Sequence, residues 1–135
     1  MDKTVELPLR AQEDVVFVRQ SVRSYAVAIG LSLVDQTKLV TAASELARNT
    51  VTHGGGGTAK LEVIQDATRH GIRLTFEDQG PGIRDLEQAL RDGYTTGNGL
   101  GLGLGGARRL TNEFAIESKL GVGTRVVITQ WAKRQ

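Results

Sequence analysis

The sequence predicts an α+β sandwich, with helices on one face of a mixed, mostly antiparallel sheet. Two observations carry that expectation. Apolar residues recur twice at helical spacing before His53, and two pairs of short alternating segments follow, each pair joined by turn-forming residues. Length is the third: 135 residues fit one domain, residues 1–135, and leave no room for a second.

Thr4 to Arg10 alternates Val5, Leu7 and Leu9 with polar neighbours and reads as a short strand. From Ala11 to Ile29 the positions Val15, Val18, Val22, Tyr25 and Ile29 mark a helix, which Gly30 stops. A second helix opens at Ser32, where Asp35 completes a capping-box pattern. Its core stripe is Leu39, Ala42, Ala43 and Leu46, and it runs out at His53. Thr58 to Gln65 and Ile72 to Glu77 form a strand pair around an Asp66–Gly71 turn. Asp85 to Arg91 predicts a short helix and Arg91 to Gly99 a polar loop. Leu100 to Asn112 can form a helix despite its glycines, and Phe114–Lys119 with Thr124–Trp131 makes the last strand pair.

Composition removes several function classes. Cysteine is absent, which excludes disulfides and thiolate metal sites and suits a reducing compartment. The apolar runs, such as Val15 to Val18 and Tyr25 to Ile29, are far short of the ~20 residues of a membrane span. Met1-Asp2-Lys3-Thr4 has neither a basic leader nor an apolar signal core, so a cytoplasmic protein without a membrane partner is expected. Net charge is +2, basic residues are scattered and aromatics are 4%, which argues against nucleic acid. The unusual number is 17 glycines, concentrated at 54–57, 80–82 and 97–106.

Three clusters could carry chemistry. Glu45 and Asn49 lie four residues apart, hence on one helical face beside the core stripe, while projection at ~100° per residue turns Arg48 to the opposite side. A carboxylate and an amide so placed can act as a base and as an oxygen ligand for Mg²⁺, although a solvated pair has the same spacing. Asp78-Gln79-Gly80-Pro81-Gly82 follows an apolar strand. The aspartate can accept from an exocyclic amine such as adenine N6, and glycine lets backbone approach a flat ring. A plain chain reversal at Pro81-Gly82 is the other reading. Gly97 to Gly106 offers free N–H groups ahead of a helix, which suits phosphate. Its G-x-G-x-x-G at Gly101, Gly103 and Gly106 lacks the preceding buried strand of a dinucleotide fold. No H-R-D, D-F-G or G-K-[ST] is present, which removes the protein-kinase and P-loop patterns.

The order of the clusters resembles the GHKL (Bergerat-fold) ATPase superfamily, which includes gyrase, Hsp90, histidine kinases and MutL. The series is an E-x-x-x-N helix, strand–D-x-G-x-G, G-x-G-x-G and a late-strand Gly123-Thr124. Within it, Ser44-Glu45-Leu46-Ala47-Arg48-Asn49, Glu77 to Ile83, and Asp92-Gly93-Tyr94-Thr95-Thr96 look like an RsbT-type serine/threonine switch kinase, close to the RsbW and SpoIIAB anti-sigma kinases.

The resemblance implies ATP and Mg²⁺ as cofactors, with Glu45 as general base and Asn49 as metal ligand. Asp78 would bind the adenine amine, with Thr124 supporting it through a water. Gly80 and Gly82 would line the adenine pocket, Gly99, Gly101 and Gly103 the phosphates, and Thr95 and Thr96 a mobile lid. It implies a STAS-domain substrate of RsbS/RsbR type in bacterial stress signalling, with a PP2C-type phosphatase or a stressosome-like assembly as further partners. The alternative is a nucleotide-tuned anti-sigma or phosphatase-binding module. Two departures stand out: the lid segment is short, and there is no helical hairpin for a phosphoacceptor histidine. His53 at a helix end suits a cap or partner contact, and His70 falls in the expected turn. Arg48 and Arg109 are candidates for steadying phosphate charge.

Overall fold

The computed structural model describes residues 3–91 and 103–132. Strand β1 (Thr4–Leu9) leads into helices α1 (Gln12–Ala28) and α2 (Leu33–Thr52). Strands β2 (Gly57–Gln65) and β3 (His70–Asp78) follow, then the short α3 (Leu86–Ala89) and α4 (Gly103–Leu110), and finally β4 (Glu113–Lys119) and β5 (Gly123–Trp131). The five strands lie in the order β1-β2-β3-β5-β4, and every pairing is antiparallel.

Register sorts the sheet into two faces. Leu61 pairs Leu74, Leu74 pairs Ile128 and Ile128 pairs Phe114, so one alternating set turns toward the helices. The facing stripe of α2 supplies Leu39, Ala42, Ala43 and Leu46, and α1 supplies Val15, Val18 and Val22, all buried. The other face carries Lys60, Glu62, Glu77, Arg125 and Glu117, with one ion pair along β2 and Arg125 of β5 bridging to Glu77 and Glu117 on its two neighbouring strands. Trp131 lies there against Gly71, where a side chain would meet its ring, and stacks beneath Arg69 at 4.2 Å. Among the described residues no helix is long and apolar enough to cross a membrane.

Local chemistry explains the boundaries. Ala11 supplies no side-chain cap to α1, and Asp14, in its first turn, instead accepts the Arg10 N–H at 2.8 Å and ties the incoming chain to the helix. Bonding to the Arg10 side chain holds the Asp14 carboxyl below its ordinary pKa. Gly30, at φ +87°, closes α1, with Leu31 N–H returning to the Ala26 carbonyl at 3.0 Å and the Leu31 side chain buried. Ser32 caps α2 by accepting from Asp35 N–H at 3.1 Å, as the pattern predicts.

The first hairpin is tighter than expected. His70 and Gly71 belong to β3, and His70 pairs with Gln65 as an exposed strand residue rather than a turn residue. Asp66 shortens the turn by accepting from Thr68 N–H, Arg69 N–H and the Arg69 guanidinium, the last at 2.8 Å. That guanidinium, with the backbone donors, lowers the Asp66 pKa to about 2. The helix expected over Asp85–Arg91 shrinks to Leu86–Ala89: Asp85 caps it by accepting from Gln88 N–H, Leu90 ends it, and none of its four residues is fully buried. In the helix expected over Leu100–Asn112, residues 100–102 lie outside the described ones. It ends at Leu110, where Thr111 bonds back to the Ala107 carbonyl and Asn112 is drawn to Gln130 and Trp131 of β5.

Candidate functional site

A cavity of about 400 Å³ opens between α2, the sheet end and the segment after β3. Its apolar wall comes from Leu46, Phe76, Ile83 and Val126. Convergent polar groups on an apolar wall are the usual make-up of a small-ligand site.

At one end, α2 presents Glu45 and Asn49 to the cavity, one turn apart as the E-x-x-x-N spacing requires. The Glu45 side chain is only 5% exposed, and Arg48 Nη1 approaches its Oε1 at 3.3 Å. The expectation that Arg48 turns away from this face is therefore corrected. Its backbone position projects aside, but three residues of spacing and a long stem bring the guanidinium back to Glu45. Arg48 is accordingly the counter-ion of the buried carboxylate. Arg109 is exposed in the last turn of α4, well along the chain from Gly103, which opens that helix and lines the cavity.

At the other end, Asp78 closes β3 and Thr124 sits directly opposite it on β5. Asp78 Oδ1 accepts from Gly80 N–H at 2.9 Å, which turns the chain immediately after the strand. Four glycines make room for this arrangement. A Cβ on Gly54 would strike the Asp78 carboxylate at 2.6 Å from Oδ2, and one on Gly80 would meet Gly54 backbone at 2.8 Å. Gly82, at φ +79°, packs on the Lys119 carbonyl, and Gly123, at φ +147°, packs on the Asp78 carbonyl. Pro81 thus does more than reverse the chain: its carbonyl accepts from Gly121 N–H at 2.9 Å, fastening the loop to the β4–β5 turn.

Gly54, on the cavity wall, and Ser118, beside Thr124 at its end, are positions that no sequence motif marks. Ser118 accepts from Ile83 N–H at 2.8 Å and contacts Thr124 Oγ1 at 2.9 Å. The signal for it was the β4 alternation Phe114, Ile116, Ser118, which places it on the helix-facing side next to the cavity. Nothing local in the sequence marks Gly54 as the neighbour of Asp78.

The expected site residues divide cleanly. Glu45, Asn49, Asp78, Gly82, Gly103 and Thr124 line one cavity, and Gly80 braces it through Asp78 and Gly54. Thr95, Thr96, Gly99 and Gly101 lie outside the described residues. His53 is the C-cap of α2 and lines the cavity, whereas His70 is on the exposed end of β3. Gly105 serves packing, since a Cβ there would meet the Leu90 and Arg91 carbonyls.

Residues 34–134 match the family described as histidine kinase-, DNA gyrase B-, and HSP90-like ATPase. The chain is 41% identical over 120 residues to the serine/threonine-protein kinase RsbT of Bacillus subtilis, covering 89% of this chain and 90% of that one. It is 30% identical over 117 residues to the anti-sigma F factor of Anoxybacillus flavithermus, covering 82% and 79%. The RsbU and RsbW domains of a Mycobacterium tuberculosis protein share the fold at a TM-score of 0.67 and 20% identity, over 99% of this chain and 34% of that one. With its E-x-x-x-N helix and strand-end aspartate on one cavity, the chain belongs to the histidine kinase-, DNA gyrase B- and HSP90-like ATPase family.

Proposed function

We propose that this chain, acting as one domain over residues 1–135, transfers phosphate from Mg-ATP to a serine or threonine of a STAS-domain protein. The substrate would be of RsbS/RsbR type, in a cytoplasmic partner-switching stress pathway. The observation that carries the reading is Glu45: a carboxylate buried in the cavity wall, one helical turn from Asn49. A module that only held a partner would have no use for it. The identity to the Bacillus subtilis kinase supports the same reading.

The residues present fit the nucleotide. Asp78, held by Gly80 N–H, offers a carboxylate to the adenine amine, and the lack of a Cβ on Gly80 and Gly82 lets the loop beside it pack on Gly54 and Lys119. The donor set also fits Mg²⁺, which keeps several waters and takes phosphate oxygens, so that Asn49 need supply only one ligand. Among the described residues no group of three carboxylates or imidazoles would compete for the ion. Bound Mg-ATP supplies the transferable phosphoryl group and the charge neutralisation that phosphoryl transfer requires. Glu45 would accept the proton of the substrate hydroxyl as its oxygen bonds to the γ-phosphorus and the bond from that phosphorus to ADP breaks, and Arg48, 3.3 Å from Oε1, holds the buried carboxylate in place. Thr95, Thr96, Gly99 and Gly101 remain assigned to the lid and phosphate cradle by resemblance.

A PP2C-type phosphatase is the further partner this reading names, with a stressosome-like assembly as the resting complex. The anti-sigma F factor relatives favour one second reading, a partner-holding module tuned by nucleotide. Transfer from γ-labelled ATP to STAS-domain proteins of the same genome separates the two. Label on serine or threonine, lost in Glu45→Ala, supports the kinase. A tight partner complex and ATP binding without label supports the module.

A further inference from the structure

Glu45 stands between two environments. With Asn49 it lines the cavity, whereas Arg48, which bonds to it, does not. The guanidinium therefore reaches the carboxylate from the rim, and the Arg48 side chain stays 37% exposed against 5% for Glu45. A guanidinium carries five N–H donors in a planar fork. Among the described residues, Arg48 gives Nη1 to Glu45 Oε1 at 3.3 Å and makes no other polar contact. Nothing on α2 or α4 can take the remaining donors. The other acidic residue of α2 is Asp35, in its first turn and about 20 Å away along the helix axis. Ser44 and Thr52, one turn to either side, are neutral and already bonded, to the Val40 carbonyl and to Gln12. Helix α4, packed against α2, carries Arg108 and Arg109 and no acid.

We infer that Arg48 is a specificity-determining positioning residue, whose open fork takes a carboxylate that the acceptor protein carries beside its reacting hydroxyl. Once nucleotide occupies the cavity, a hydroxyl of another protein can meet Glu45 only from the rim, and Arg48 stands on that path. One edge of the guanidinium orients the base while the other binds the acceptor, so both are held by a single rigid plane. A carboxylate suits the fork because its two oxygens match two parallel N–H groups. This inference deepens the kinase reading and rests on it.

The test uses the STAS-domain protein that takes label in the transfer assay, with the whole chain as wild type, Arg48→Lys and Arg48→Met. Lysine keeps the charge and loses the fork, and methionine loses both. In Arg48→Lys the KM for the acceptor should rise about tenfold, more than kcat falls, the worth of roughly one charge-assisted hydrogen bond. The Mg-ATP dissociation constant should change far less. In the acceptor, each Asp or Glu flanking the labelled hydroxyl is then changed to its amide. One such change should raise KM about tenfold against wild type and hardly at all against Arg48→Met, the non-additivity of direct partners. A fall in kcat with KM unchanged in Arg48→Lys overturns the inference and leaves Arg48 a support for Glu45 alone. Amide changes that all leave KM unmoved, or that add in full to Arg48→Met, overturn it equally. Should Arg48→Met fail to fold, Arg48→Gln takes its place in the cycle. Absence of label on every acceptor with wild type overturns the proposed function itself, an outcome distinct from label without coupling to Arg48.

Discussion

Asp78 and Thr124 face each other across the β3–β5 ladder, and Gly123, the residue before Thr124, packs its α-carbon against the Asp78 carbonyl at a φ of +147°. This contact fixes how deeply the strand end sits in the cavity. Gly123→Ala would require both an unfavourable backbone and a displaced Asp78. It should destabilise the protein by roughly 1–3 kcal/mol, read by chemical denaturation, and should weaken ATP binding further than the loss of stability explains.

Glu45→Gln keeps the shape of the cavity wall and removes the base. Phosphate transfer should fall by about 10²–10⁴-fold, the usual worth of general base catalysis. The ATP dissociation constant should stay within a few-fold of wild type. A parallel loss of binding and transfer would count against Glu45 as base and make it a binding residue.

Asn49→Ala addresses the metal. ATP affinity in Mg²⁺ should drop toward the value measured in EDTA, while wild type should show a clear difference between the two conditions. An Mg²⁺ dependence in the variant as large as in wild type would sink the ligand assignment.

Gly54→Ala sets a methyl group against the Asp78 Cβ and carboxylate, so that side chain must move from the position in which it accepts from Gly80 N–H. ATP binding should be lost, while far-UV circular dichroism stays native because the Gly54 backbone is not in a left-handed conformation. Unchanged ATP affinity would show that Asp78 does not take the ligand.

The Asp66 turn gives a pH signature remote from the cavity. Its folded pKa of about 2 lies below the ordinary 3.8, because the Arg69 side chain and two backbone N–H groups bind the charged form. A depressed carboxyl stabilises the fold fully above its unfolded pKa and ceases to do so as pH falls through the folded value. The melting-temperature gap between wild type and Asp66→Asn should therefore be constant above about pH 5 and close between pH 4 and 2. A gap that persists at pH 2 would contradict the shift.

Much of this was legible in the residues. Period-two runs gave β2, β3 and β5 to within two residues, and Ser32 and Gly30 bounded the helices through side-chain and backbone chemistry that operates over three or four positions. Glu45, Asn49 and Asp78 were readable because each sits in a local pattern. The pairing of Glu45 with Arg48 was not, since projection locates an α-carbon and a guanidinium reaches several ångströms beyond it. Gly54 beside Asp78 and Ser118 beside Ile83 are separated by 24 and 35 positions and depend on sheet register, which composition does not encode.

The loop after β3 is wedged between the end of α2 at Gly54 and the β4–β5 turn at Lys119 to Gly121, so this end of the cavity exists only when widely separated parts of the chain have docked. An unfolded chain holds no fragment of it. A nucleotide bound there is consequently a folding ligand, adding RT ln(1 + [L]/Kd) to stability, about 2.7 kcal/mol at a hundredfold excess over Kd. Cellular energy charge then reaches the lifetime of the protein as well as its catalysis: a starved cell would carry more of this chain in the open, protease-sensitive form.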